Sequence, residues 1–147
     1  MKNLLVLIST IAMVIVLAAC SAPSKVVGTH GVPFVIADHY FVKNDVNTLP
    51  EGKITTQTEF FSKFGQAAVM GGLPTPINFK KQFVVAVCVP ETNYDTSILP
   101  VALKHDGKNL IFTYHINKGE KKGYSIQPML LIVVDKKYEA PLKMQKQ

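Results

Sequence analysis

Residues 81–89, Lys-Gln-Phe-Val-Val-Ala-Val-Cys-Val, decide the fold of this chain, because seven of them in a row are apolar and none alternates with a polar neighbour. A run of this length is too short for an ordinary helix, and its β-branched composition reads as a strand buried on both faces. Pro90-Glu91-Thr92-Asn93 stops it. A sheet with this strand at its centre needs a layer on each side, and the flanking sequence is read for those layers.

Downstream, Pro100–Lys104 and Asn109–His115 flank His105-Asp106-Gly107-Lys108, and an Asp-Gly pair between two strand-like runs predicts a hairpin. Residues 117–123 then read as a turn into Tyr124–Asp135. Pro128 cannot donate to a ladder, so 124–127 should lie at an edge or beside a bulge, with 129–134 as a buried strand. Upstream, 34–42 is β-branched and aromatic and reads as a first strand. Thr56 and Glu59 have the spacing of a capping box, Phe60, Phe61 and Phe64 share one helical face, and Gly65 is placed to end the helix. The predicted class is α+β: a single short helix packed on a curved, mainly antiparallel sheet with a C-terminal meander. The domain is expected over 32–138, with 139–147 as a polar tail.

The N-terminus reads differently. Met1-Lys2-Asn3 is a short positive start, Leu4–Val16 an apolar core, and Leu17-Ala18-Ala19-Cys20 a processing box. The pattern resembles a bacterial lipobox: 1–19 as a signal peptide cleaved between Ala19 and Cys20, the Cys20 thiol carrying diacylglycerol, and the new amine acylated, for example by palmitate. The uncharged run Leu4–Ala19, 16 residues long, falls short of the roughly 20 that a spanning helix needs. Acyl chains, at about 0.8 kcal/mol per buried methylene, would tether the domain stably. Residues 20–31 read as a flexible tether, and Ser21 after the cysteine suggests the outer membrane.

The 147 residues carry 16 basic side chains, all lysine, against 10 acids, a net charge of +6. Without one arginine, the bidentate readers of bases and phosphates are missing, which argues against nucleic acid as a partner. Scattered as they are in sequence, the lysines read as a solvated coat. Cys88 inside the apolar run reads as a buried hydrophobe and not a nucleophile. No histidine pair has metal-ligand spacing, and no G-x-S-x-G, S-x-x-K, H-E-x-x-H or phosphate loop occurs, so no catalytic residue, metal or cofactor is expected. Asp38 and His39, adjacent in a strand, would point to opposite faces.

Residues 76–87, after a capped helix, followed by a hairpin, Gly119-Glu120, Tyr124-Ser125-Ile126 and Pro128–Asp135, form an order of elements that resembles a known one. It is similar to the C-terminal domain of the PrcB-type protease-complex-associated lipoproteins and to small bacterial envelope lipoproteins, over about residues 50 to 136. That domain has an I-D-F-x-K-x-x-V-V-A-V strand, matched by Ile77–Val87; Lys122-Gly123-Tyr124 and Pro128-Met129 stand where it has Gly-Gly-Tyr and proline-aromatic. The resemblance implies a non-catalytic adaptor that contacts an envelope protein or protease complex. The expected partner surface comprises the 66–75 loop with Gly71 and Gly72, the 90–98 loop with Asn93 and Tyr94, the sheet edge, and Tyr124. Two alternatives are a binder of a small envelope glycan or lipid fragment, and a small hydrolase using His105 or His115.

Overall fold

A computed structural model describes residues 31–67 and 72–147 in full and the backbone of the pair Lys25–Val26. In chain order the elements are β1 (Lys25–Val26), β2 (Phe34–Ile36), β3 (Tyr40–Val42), β4 (Gly52–Ile54), α1 (Gln57–Lys63) and β5 (Phe64–Gln66). They continue with β6 (Gln82–Cys88), β7 (Thr92–His105), β8 (Leu110–Ile126), β9 (Met129–Asp135) and β10 (Leu142–Lys146). Among the described residues there is one α-helix, and the sheets are mostly antiparallel: a sheet-rich α+β fold.

The strands form a five-stranded sheet in the order β1-β2-β9-β6-β4, a three-stranded sheet β10-β8-β7, and the pair β3-β5. The sequence rule for β6 holds. Phe83, Val85 and Val87 point to one face and join Leu110, Phe112, Leu103 and Tyr114 of the three-stranded sheet in one core. Val84, Ala86 and Cys88 point to the other and join Phe60, Phe64 and Tyr40 in a second. β9 does the same, with Leu130, Ile132 and Val134 on one side and Leu131 and Val133 on the other. An antiparallel strand covered on both faces loses the usual in-out alternation, which is why its sequence is an unbroken apolar run.

The expected hairpin forms: Asp106 and Gly107 lie between β7 and β8, and Gly107 takes φ +92°, a conformation that glycine adopts without strain. Thr56 caps α1, its hydroxyl accepting from Glu59 N at 3.2 Å. The Glu59 carboxylate, however, pairs with Lys63 one turn on, at 2.8 Å, instead of reaching back to the cap.

Elsewhere the structure corrects the sequence reading. The strand expected over 34–42 is broken at Ala37–His39, where His39 takes φ +63°, so its halves β2 and β3 belong to different sheets. Gly65 does not end the helix: Phe64 is already extended, and Gly65 sits in β5 opposite Phe41, whose ring lies on the space a side chain would need. The 90–98 loop is not a loop, because Thr92–His105 is one strand. Residues 117–123 do not turn the chain but continue β8, and their glycines serve bulges. Between the pairs Tyr94↔Lys121 and Thr92↔Ile126, β8 advances five positions against two on β7.

The C-terminal meander is replaced by a crossing: β8 pairs with β7 and β10, while β9 inserts between β2 and β6. The segment expected as tether contributes β1, which pairs with β2, so any free tether ends before Lys25. The tail expected over 139–147 is largely a strand. β10 runs parallel to β8 from Leu142↔Leu110 to Lys146↔Tyr114, with Leu142 and Met144 packed on the core and Lys143 between them exposed.

Candidate functional site

Two surfaces on opposite sides of the five-stranded sheet carry the candidate residues. The first lies beside α1. Phe60 and Phe64 are fully buried under the helix, and Phe61, the next residue round, stands at the rim, edge-to-face with Phe60 at 5.3 Å. Phe79 reaches the same ring from the other side at 5.5 Å, and Tyr40 meets it at 5.1 Å. Between them runs an open depression of about 400 Å³ lined by Tyr40, Phe61, Leu73, Pro74, Pro76, Ile77 and Phe79, with Gln57 and Gln66 at its edge. A second of about 500 Å³ shares Gln57, Ile77 and Phe79 and continues to Thr55, Asn78, Lys80 and Lys136.

The outer wall of this trough is fixed. Thr75 is tied to the break between β2 and β3 three times: its hydroxyl accepts from Asp38 N at 3.0 Å, its N–H donates to Asp38 O at 3.2 Å, and its carbonyl accepts from the Tyr40 hydroxyl at 2.7 Å. The prolines on either side of it have restricted φ, so little backbone freedom remains to be lost on binding. Leu73, 89% exposed, stands at the lip.

The second surface is the exposed part of the three-stranded sheet. Tyr94 is half-buried with Lys118 Nζ 3.7 Å from its ring centre, Lys122 lies 3.4 Å from Asp95, and Tyr124 is 63% exposed on the bulged part of β8. Gly119 lets β8 pass close to β7: a Cβ there would lie 3.0 Å from the Asp95 carbonyl. Leu99 and Val101 are about half exposed on β7, Val101 being the extra residue of a bulge.

The expected partner residues are thus split. Asn93, Tyr94 and Tyr124 lie on the three-stranded sheet, whereas Gly72 lies on the helix side, packed against the His39 ring. Gly71, Ala19 and Cys20, with the signal segment, lie outside the described residues. No helix among the described residues is long and apolar enough to cross a membrane. Sequence reasoning missed Phe61, Ile77 and Phe79 as surface residues; the signal was Pro74-Thr-Pro76, which reads as a rigid wall once Thr75 has partners.

The titratable groups have structural partners. Burial, with a smaller contribution from Glu51, pushes the Cys88 thiol up to about 12, so it stays protonated and unreactive at neutral pH. His105 Nδ1 accepts from Gly107 N at 2.9 Å within the hairpin turn. His115 Nδ1 lies 3.0 Å from the Gln147 carbonyl and Gln147 N donates to Tyr114 O, so this histidine secures the end of the chain. Asp106 accepts from the Asn109 and Lys108 amides, which holds its carboxyl down at about 2. Among the described residues no three His, Cys, Asp or Glu side chains are grouped as metal ligands.

No protein-family model matches the chain, and neither the curated proteins nor the solved structures give a match.

Proposed function

We propose that this chain is a bacterial envelope lipoprotein, anchored through acyl chains on Cys20, whose domain is a non-catalytic module that binds a protein partner in the trough beside α1. The observation that carries this reading is the preformed wall: an apolar trough open along its length, with Thr75 pinned between two prolines, suits an extended polypeptide segment better than an enclosed small molecule. The outer membrane and a protease complex are the location and partner that the lipobox context and the PrcB-type resemblance suggest. The finer fold expectation, a curved sheet under the helix, rests on the order of elements in the sequence.

The test is site-specific photo-crosslinking of the full chain in cells, from Leu73 and from Glu139 on the far side of the α1 trough as a control. A discrete protein adduct from position 73, lost when Ile77→Asp is added, is the expected result. Equal adducts from both positions would refute the reading. Leu73→Asp should weaken capture without changing the melting temperature, since its side chain is almost wholly exposed.

A second reading has its own observation. Asn78, Lys80 and Lys136 stand at the far end of the trough beside Ile77 and Phe79, an apolar floor with a few polar groups, as a small anionic glycan or lipid fragment would require. Saturable binding of such a fragment that Lys80→Gln abolishes would favour it.

A further inference from the structure

Folding sorts a charge that the sequence scatters. The segments that build the three-stranded sheet, 92–126 and 142–147, hold seven of the lysines against three acids, Asp95, Asp106 and Glu120. The rest of the fully described domain holds seven lysines against seven acids. The excess positive charge of the domain therefore sits in one layer, and Lys104 and Lys143, alternating with the inward-facing Leu103, Leu142 and Met144, point outward from it. Two of its acids are already engaged, Asp106 by the hairpin amides and Asp95 by Lys122.

The same face exposes apolar side chains. Leu99 is paired with His115 between the inward-facing Ile98 and Pro100, and stands outward half exposed; Val101, on the bulge, is equally exposed. Lys104 and Lys143 flank Ile111 across the sheet, and Lys108 extends from the hairpin. Tyr124 adds an exposed aromatic. Lysine stems, small apolar side chains and tyrosine on an open sheet face match the headgroup region of a bilayer, where ammonium groups meet phosphates and tyrosine rings sit at the boundary.

We infer that the outer face of the β10-β8-β7 sheet docks on an anionic lipid bilayer. The inference rests on the anchored-lipoprotein reading for its geometry. Lys25 is five steps along the chain from Cys20, a reach of at most about 18 Å at the extended-chain limit. Lys25 pairs with Val35 at the edge of the five-stranded sheet, and Val32, just before β2, is tied to the basic layer, its N–H donating to Leu103 O of β7 at 2.7 Å. A lipid at Cys20 thus holds the basic face at high effective concentration over the membrane, and the trough beside α1, across the five-stranded sheet, faces away from it.

The test uses the full chain bearing an environment-sensitive dye at Val101→Cys or, on α1, at Ser62→Cys; Cys88 is buried, and dye taken by an unacylated Cys20 is read from the chain with neither substitution, labelled in parallel, and subtracted. Each is mixed with vesicles of phosphatidylcholine alone or with about 30 mol % phosphatidylglycerol, carrying nitroxide lipids as quenchers. Quenching at position 101 at least about threefold greater than at 62, only with phosphatidylglycerol, and lost between about 50 mM and 500 mM salt, is expected. The triple variant Lys104→Gln, Lys108→Gln, Lys143→Gln should lose it too. Equal quenching at the two positions, no need for anionic lipid, or preferential binding of an acidic protein or polysaccharide over vesicles overturns the proposal. Intact mass reports lipid on Cys20 separately. Quenching at 101 without lipid on Cys20 overturns the anchor and leaves the surface standing; lipid without quenching does the reverse.

Discussion

β6 pairs with β9, and β7 with β8, in two antiparallel ribbons joined end to end through Val89–Glu91 and Gln127–Pro128, yet the two are built to different rules. The β6–β9 ladder runs seven residues without a register shift, every position from Phe83 to Cys88 is buried, and neither strand has a glycine. The β7–β8 ladder shifts register three times, carries Gly119 and Gly123, and exposes most of its length beyond Tyr114. The first ribbon faces core on both sides, so packing fixes each side chain; the second faces core on one side, so its outer positions are free for charge and its register for bulges. Stability should follow the first ribbon and surface properties the second.

Five measurements would break or sharpen that division. The largest effect is expected from Phe83→Ala, which removes a fully buried ring and should cost about 3–5 kcal/mol by denaturant unfolding. A cost below that of a surface substitution would show that the inner ribbon is not the core. Next is reactivity at Cys88. At pH 8 its alkylation should proceed only as fast as the whole domain unfolds, because the native thiol titrates near 12. The sign follows: stability from the neutral buried thiol is complete below the ordinary thiol range and is lost as pH rises from about 9 toward 12. Rapid labelling of native protein would mean that the end of β6 opens locally.

In the outer ribbon the effects shrink. Gly119→Ala forces a Cβ to 3.0 Å from the Asp95 carbonyl and should cost about 1 kcal/mol, at the low end of overpacking because a bulged strand can shift. Asp106 contributes through its lowered pKa: its stabilisation is present above about pH 4 and disappears as pH falls toward 2. Asp106→Asn should flatten acid unfolding in that window, and an unchanged acid limb would remove the turn from the account. Tyr124→Ala should change stability by less than about 0.5 kcal/mol, and its effect belongs instead to vesicle quenching.

What the sequence revealed follows the same division. The inner ribbon was legible because burial on both faces writes an unbroken apolar run, and the Asp106-Gly107 hairpin and Thr56 cap were legible because each rests on local chemistry. Residues 90–98 and 117–123 misled because the outer face of the second ribbon tolerates polar residues and glycine, the same composition that marks loops. β10 carried a signal, the alternation Leu142, Met144 against Lys143, Gln145, but five residues at the end of a chain read as tail until β8 supplies a partner. Of the trough beside α1 only the 66–75 loop was legible, which supplies Gln66, Leu73 and Pro74. Its walls come from residues 40, 57–61 and 73–79, which only the tertiary fold brings together.

The pairing of β2 with β9 has one more consequence. Phe34 lies opposite Val134, so β2 finds this neighbour only a hundred residues later, and β6 waits for the same strand. Contacts so distant in sequence close slowly. A polypeptide wired this way cannot close its central sheet until residues 129–135 are there to pair with both β2 and β6.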